Sequence, residues 1–331
     1  MRLATVLTPV SDENLQLAAQ CGVTDLVQRY PGPDPKILRL AIDRAAVFGL
    51  KITVVEGYLP IEKIKLGIDN GEEIQAMKNL LTQMADEGIT LLCYNFMAGS
   101  DWTRTRVDVP ARGGARVTAF DLREVEQALR LGYQPQNPED DAVARHLTPE
   151  MLWSNLQRML DALLPVAERC GVTLAIHPDD PPLPSLLGKP RIMHHVEGLT
   201  RLMQLYPTPN HGICFCQGTF ATMQVDIPAT IRHFGPHIHY VHFRDVSGSP
   251  ETFVETFHDA GPTDMAAAMR AYRDIGFQGS IRPDHVPQLV GEEEGEPGYT
   301  MLGRLFAYGY IRGLMDATET RTPSNRNQAV G

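Results

Sequence analysis

The chain has 331 residues, 43% hydrophobic and 21% charged, a globular composition that excludes a disordered or fibrous protein. Thirty Lys and Arg stand against 40 Asp and Glu, a formal net charge of -10. That argues against nucleic acid as the main partner, because phosphate neutralisation needs clustered basic residues.

No apolar run approaches the roughly 18 residues of a membrane span, so no membrane partner is expected. The opening MRLATVLTPV runs straight into polar SDEN, without the core of a signal peptide. Five cysteines in a chain of this length do not suggest a disulfide framework. A reducing cytoplasm is the expected setting.

One unit repeats along the chain: a short β-branched run, a polar turn, then a helical pattern. The runs are LATVLT (3–8), TDLVQR (24–29), ITVVEG (52–57), TLLCYNF (90–96), TLAIHPDD (173–180), HGICFCQGT (211–219), IHYVHFRD (238–245) and SIRPDHV (280–286). Most are near-continuous apolar segments, as parallel strands buried on both faces should be.

Helical patterns fill the gaps. Ser11 caps SDENLQLAAQ, and further helices are predicted near 34–49, 72–88, 149–169, 196–205, 263–275 and 298–316. Thr148 before Pro149 and Glu150 is a strong helix start, with proline at the first helical position. Eight strand–helix units predict a closed (β/α)8 barrel as one domain over 1–316. A doubly wound open sheet ranks lower, since no Gly-rich phosphate turn follows an early strand. Residues 97–147, with DWTRTRVDVPARGG and QPQNPEDD, read as an excursion over the barrel mouth. The polar segment 317–331 reads as a mobile tail.

Barrel enzymes place their sites at the carboxyl ends of the strands. Here those ends carry Glu56, Asn95, His177, Cys216, His242 and Asp284. Taken singly, a strand-end His is a hydrogen-bonded structural residue, a buried Cys a small hydrophobe, and Asp284 a turn cap. Jointly, His177, Cys216, His242 and Asp284 at equivalent heights on four successive strands point to a metal. Cys214 shares a strand face with Cys216 but lies deeper, so it belongs to the core. Cys21, Cys93 and Cys170 read as structural. A mixed N, S and O set suits a divalent transition ion. Four protein ligands leave room for substrate only when coordination exceeds four, which favours Mn²⁺ or Fe²⁺ over closed tetrahedral zinc. Arg282, His285, His258 and Tyr299 surround this set.

The sequence resembles the metal-dependent D-mannonate dehydratases of the xylose-isomerase-like barrel type. GITLLCYNFMAGSDWTRT, LAIHPDDPP, GICFCQGT, YVHFRD, ETFHDAG, IRPDHV and PGYTMLGRLFAYGYIRGL carry the resemblance, in family order from about residue 50 to 316. It implies His177, Cys216, His242 and Asp284 as metal ligands. It also implies Arg282 and Tyr299 as catalytic residues, His285 in support and His258 in a further active-site segment. Asn95, Trp102, Arg104 and Glu56 are expected to contact substrate, and a dimer or higher homo-oligomer is expected. The chain departs from the family after the second strand, where DLVQRYPGPDPKIL lacks a His and a Trp. It departs again after the third, where LPIEKIK lacks a His.

The implied reaction removes water from a 2,3-dihydroxy sugar acid. A C2 proton is taken, the 3-hydroxyl leaves, and the enol becomes a 2-keto-3-deoxy acid. Arg282 would add positive charge near the carboxylate, and Tyr299 and His285 would share the acid and base roles. Three alternatives stay open: a sugar isomerase or epimerase using Glu56, a lyase on a related aldonate or glycoside, and a sugar-acid-binding barrel without catalysis.

Overall fold

The eight apolar runs become strands that bury both faces, and alternation decides which residue goes where. The barrel strands are β1 (Arg2–Thr5), β2 (Asp25–Gln28), β3 (Lys51–Glu56), β4 (Leu91–Tyr94), β5 (Thr173–Ile176), β6 (His211–Cys216), β7 (Ile238–His242) and β8 (Ser280–Arg282). In this computed structural model residues 1–127, 129–130 and 138–319 are described. Residues 128 and 131–137 of the excursion, and 320–331 of the expected tail, lie outside the described residues.

Every neighbouring pair of strands is parallel, and β8 returns to β1 to close the barrel. Val54, Cys93, Ala175, Cys214 and Tyr240 point inward and fill the barrel with Ala4, Val6 and Val27. Their chain neighbours Val55, Leu92, Leu174, Ile213, Phe215 and Val241 point outward and pack beneath the helices.

The expected helix starts form as the local chemistry dictates. Ser11 accepts from the Asn14 amide, and Thr148 accepts from the Met151 amide ahead of the long helix Pro149–Cys170. That helix ends on Gly171 at φ 64°, the left-handed cap that glycine adopts without penalty.

Three expectations need correction. The sixth run does not stay extended to 219: the strand stops at Cys216 and Gln217–Thr222 is helical, with Ile227–Phe234 forming a second helix after it. The last helix, Met301–Thr318, takes in the first two residues of the expected tail, because Arg273 donates to the Thr318 hydroxyl and pins that end. The four strand-end residues are also not level. Cys216 pairs in register with His242, and His242 with Arg282, so Asp284 lies two residues beyond the level of its neighbours.

The excursion after β4 has structure of its own. Arg106–Pro110 and Arg116–Asp121 pair antiparallel, and the latter pairs with Thr252–Glu255, itself paired with Val246–Ser249 after β7. Two loops from different strands thus fuse into one four-stranded sheet. Phe120 and Phe253 stack across it at 5.7 Å. This sheet delivers Glu255 to the carboxyl ends of the barrel strands.

Candidate active site

A cavity of about 830 Å³, counting the part open to solvent, occupies the carboxyl end of the barrel. Nine of the residues singled out in the sequence line it. Glu56, Asn95, His177, His242 and Asp284 come from strand ends, and Trp102, Arg282, His285 and Tyr299 complete the set.

Three of the candidate ligands converge. Ligand atoms of His177, Cys216 and His242 lie within 4.8 Å of one another. His177 donates from Nδ1 to the Pro178 carbonyl at 2.6 Å, and its ring also hydrogen-bonds the Cys216 sulfur. His242 is buried, with no well-aligned hydrogen bond at either ring nitrogen, although Nε2 lies 3.1 Å from Glu56 Oε1. Asp284 stands beside this group, 3.8 Å from Cys216 Sγ and 3.8 Å from His242 Nδ1.

The two cysteines on β6 differ chemically. Burial pushes the Cys214 thiol well above its ordinary value, and a hydrogen bond with Cys93 pushes it further. Cys216 is equally buried, yet Arg244 and His177 outweigh burial and hold its thiol well below the ordinary value. Cys93, Cys214 and His242 are also close enough to hold an ion. A Cys214 thiol held well above its ordinary value is a poor ligand, because the thiolate is the ligating form.

These donors fit a divalent transition ion. One half-buried and one buried imidazole lie together with a thiolate, with an ionised carboxylate at their side. The site already attracts positive charge. Although burial opposes it, the Cys216 thiolate raises His177 to about 10, so a cation would replace a proton held there.

Behind the ligands lies a buried lattice of charge. Arg244 donates from Nε to Asp284 at 2.7 Å, from Nη1 to both Glu255 oxygens at 3.0 Å, and from Nη2 to Asp180 at 2.8 Å and to Cys216 Sγ at 3.4 Å. Arg104 donates to both Asp180 oxygens, at 2.8 and 3.0 Å, and to Glu255 at 2.6 Å. Burial opposes ionisation of these carboxyls, but the arginines, together with His285, which is the largest favourable influence on Asp284, outweigh it. Asp180 and Asp284 are held well below the usual carboxylate range, and Glu255 is held at about 2. Gly218 is required here, since a Cβ would meet Arg244 Nη1 at 2.4 Å.

The lattice orients His285. Its Nδ1 lies 2.8 Å from Glu255 Oε1, which makes Nδ1 the donor and leaves Nε2 as the ring nitrogen away from Glu255. Trp102 packs on the His285 ring at 4.5 Å, and Tyr299 meets it edge-on at 5.5 Å. Burial holds the Tyr299 phenol above its ordinary value, and the Asp284 charge adds to the effect, so the hydroxyl keeps its proton.

Arg282 is fully committed. It donates from Nε to the Tyr240 hydroxyl at 2.7 Å and from Nη1 to Pro283 O at 3.1 Å and Asp284 Oδ1 at 2.8 Å. Its Nη2 meets the two Glu56 oxygens at 3.0 and 3.2 Å. All three guanidinium nitrogens are thus engaged by the protein. Asn95 is likewise engaged: it accepts from Lys65 Nζ at 2.9 Å and donates to Asp101 at 3.2 Å.

Three of the sequence-derived residues lie behind the cavity wall. Cys216 does so as one of the converging donors. Arg104, expected to meet substrate, is fully buried and spends its guanidinium on Asp180 and Glu255. His258 is also fully buried, and burial lowers it to about 4, so it stays neutral.

The reading from sequence passed over Arg244, Asp180 and Glu255. A signal existed for two of them. HPDD and HFRD each place a charged residue shortly after a ligand His, and opposite charges at matched positions on nearby strands invite pairing. Glu255 had none, because only the pairing of two distant loops brings it in.

With this geometry established, comparison with known proteins is informative. The profile of the D-mannonate dehydratase (UxuA) family matches residues 15–325. Mannonate dehydratase 2 of Halalkalibacterium halodurans is 36% identical over 309 residues, spanning 87% of this chain and 88% of its own. The crystal structure of mannonate dehydratase from Streptococcus suis serotype 2 superposes with a TM-score of 0.86 at 31% identity, covering 96% of this chain and 95% of that one. A xylose isomerase domain protein from Planctomyces limnophilus shares the fold alone, with a TM-score of 0.58 at 12% identity over 96% of this chain and 97% of its own. The chain belongs to the D-mannonate dehydratase family.

Proposed function

We propose that this chain is a metal-dependent hydro-lyase that converts D-mannonate to 2-keto-3-deoxy-D-gluconate and water. The observation that carries the reading is the meeting, on one cavity, of a His177–Cys216–His242 donor cluster, a His285 oriented by Glu255, and a protonated Tyr299. His177, Cys216, His242 and Asp284 are the residues that would hold the ion, Mn²⁺ or Fe²⁺. Such an ion supplies Lewis acidity to the oxygens of a bound hydroxy acid.

The residues of the chain divide the rest of the work. His285, with Nδ1–H on Glu255, presents Nε2 as the base for the C2 proton. Tyr299 gives its phenolic proton to the departing 3-hydroxyl, and the enol left behind tautomerises to the keto acid. Arg282 is a positioning residue: its donors hold Glu56 and Asp284 in place. Trp102 keeps the His285 ring in its orientation and closes that wall to water. Arg104 and Arg244 fix Glu255 and Asp180, which in turn fix His285 and the cluster. The same reading carries a homo-oligomer in a reducing cytoplasm, in keeping with five free cysteines.

The test is to strip the protein with chelator, add D-mannonate with and without Mn²⁺, and assay the keto acid. Metal-dependent appearance of 2-keto-3-deoxygluconate is expected. A product of unchanged mass would replace the reading with isomerisation or epimerisation.

A further inference from the structure

Arg29 follows β2, in the first of the two segments where the chain departs from the family pattern, and its guanidinium reaches the cavity wall. It lies 5.0 Å from the centre of the Tyr58 ring and 5.4 Å from that of Tyr299. The backbone after β3 is bent to make this seat. Gly57 has φ 80° and Tyr58 φ 56°, two successive left-handed residues. Tyr58 pays a conformational cost there that a glycine would not. A Cβ at residue 57 would come within 3.0 Å of Arg29 Nη1.

The cations on the wall differ in what they have left to give. Arg282 has every nitrogen engaged by the protein, as described above. Lys65 donates to Asn95 at 2.9 Å and Met97 O at 3.4 Å, with Glu62 at 3.4 Å. Among the described residues Arg29 donates to no protein acceptor and has no ion pair; two tyrosine rings hold it by cation–π contact instead. Around it the wall is acidic, with Glu56, Asp180 and Asp284 all facing the cavity. Those carboxylates already occupy Arg282, Arg104 and Arg244, so an incoming anion finds its unspent cation in Arg29.

We propose that Arg29 binds the carboxylate of the sugar-acid substrate and selects an acid over a neutral polyol of the same shape. The inference rests on the dehydratase reading and names the residue that recognises its substrate. A planar guanidinium with a free edge matches a carboxylate in two parallel hydrogen bonds. Its place against Tyr299 brings the carboxylate end of the substrate to the proposed acid.

The test compares D-mannonate with its neutral amide, D-mannonamide, in wild type, Arg29→Gln and Arg29→Lys. Calorimetry reads binding of both compounds, and steady-state assays read KM and kcat for the acid. Loss of a charge-assisted pair is expected to raise KM for D-mannonate roughly 10- to 100-fold in Arg29→Gln, with kcat changed far less. The preference for acid over amide should shrink by the same factor, and Arg29→Lys should recover part of it. An Arg29 that merely wedges the tyrosines apart would weaken acid and amide alike. An unchanged acid-over-amide ratio in Arg29→Gln overturns the proposal, as does a wild type without that preference. If Arg29→Gln does not fold, the ratio in Arg29→Lys decides: partial loss supports the proposal and an unchanged ratio overturns it. A wild type that prefers the acid but forms no keto acid would sink the dehydratase reading, while the ratio in the variants still judges Arg29.

Discussion

Arg244 and Arg29 are both guanidinium groups beside one cavity, and they are held in opposite ways. Arg244 is fully buried behind β6 to β8 and spends itself on Asp284, Glu255, Asp180 and Cys216. Arg29 stands on the β2–β3 side, half-buried between two aromatic rings, with no donor on a protein acceptor among the described residues. The contrast extends to their surroundings. On the first side carboxylates and cations pair so closely that no member can move without stranding another. On the second, a strained turn at Gly57 and Tyr58 presents a cation to whatever enters. A reacting side must fix its geometry before substrate arrives. A recognising side must leave hydrogen-bonding capacity unspent.

Breaking the lattice should have the largest effect. Arg244→Gln leaves buried carboxylates unpaired, a loss of about 3–5 kcal/mol of stability for a broken buried ion pair. Thermal melts should show it, and the variant should also lose metal, since the cation beside the Cys216 thiolate is gone. Tyr299→Phe should instead leave melting and metal content near wild type and lower kcat by about 10²–10⁴-fold, the range of a general acid–base step. Near-normal turnover would remove Tyr299 from the reaction.

The two cysteines on β6 sharpen the same contrast at lower cost. Cys216→Ser should reduce metal occupancy, measured by elemental analysis after dialysis, whereas Cys214→Ser should keep it, because the Cys214 thiol is held neutral in the barrel core. The reverse outcome would shift the centre to the Cys93–Cys214–His242 group. The smallest effect is a pH dependence. Despite burial, Arg244 and its neighbours depress the Glu255 carboxyl from 4.5 to about 2. A depressed carboxylate adds stability that is complete above its unfolded value and lost as pH falls through its folded one. Melting temperature should therefore drop as pH falls from about 4.5 towards about 2, and drop less in Arg244→Gln.

The barrel was legible in the sequence because its signal is local and repeated. Each of the eight runs buries both faces, and each strand overlaps the run read for it, with β1 and β3 starting one residue earlier, at Arg2 and Lys51. The ends were less legible, because a strand stops where its backbone finds another partner: β6 turns helical at Gln217 as soon as Cys216 is placed. Within the site, His177, Cys216 and His242 could be read from strand-end position alone. Arg104 was visible as a residue of the region but not in its task, since only the folded excursion reveals Asp180 and Glu255 as its partners. Glu255 and Arg29 were hidden for related reasons. One arrives through a sheet built from two distant loops. The other is distinguished by what it does not bond to, which no sequence pattern records.

The account's central claim is that this cavity removes water across C2 and C3, and turnover of D-mannonate in D₂O by the Mn²⁺-loaded protein tests it most directly. Loss of the C2 proton and the 3-hydroxyl, followed by solvent protonation of the enol, predicts a 2-keto-3-deoxy acid carrying one deuterium at C3. Recovery of an undehydrated sugar acid with deuterium at C2 would show proton abstraction without elimination and would contradict it.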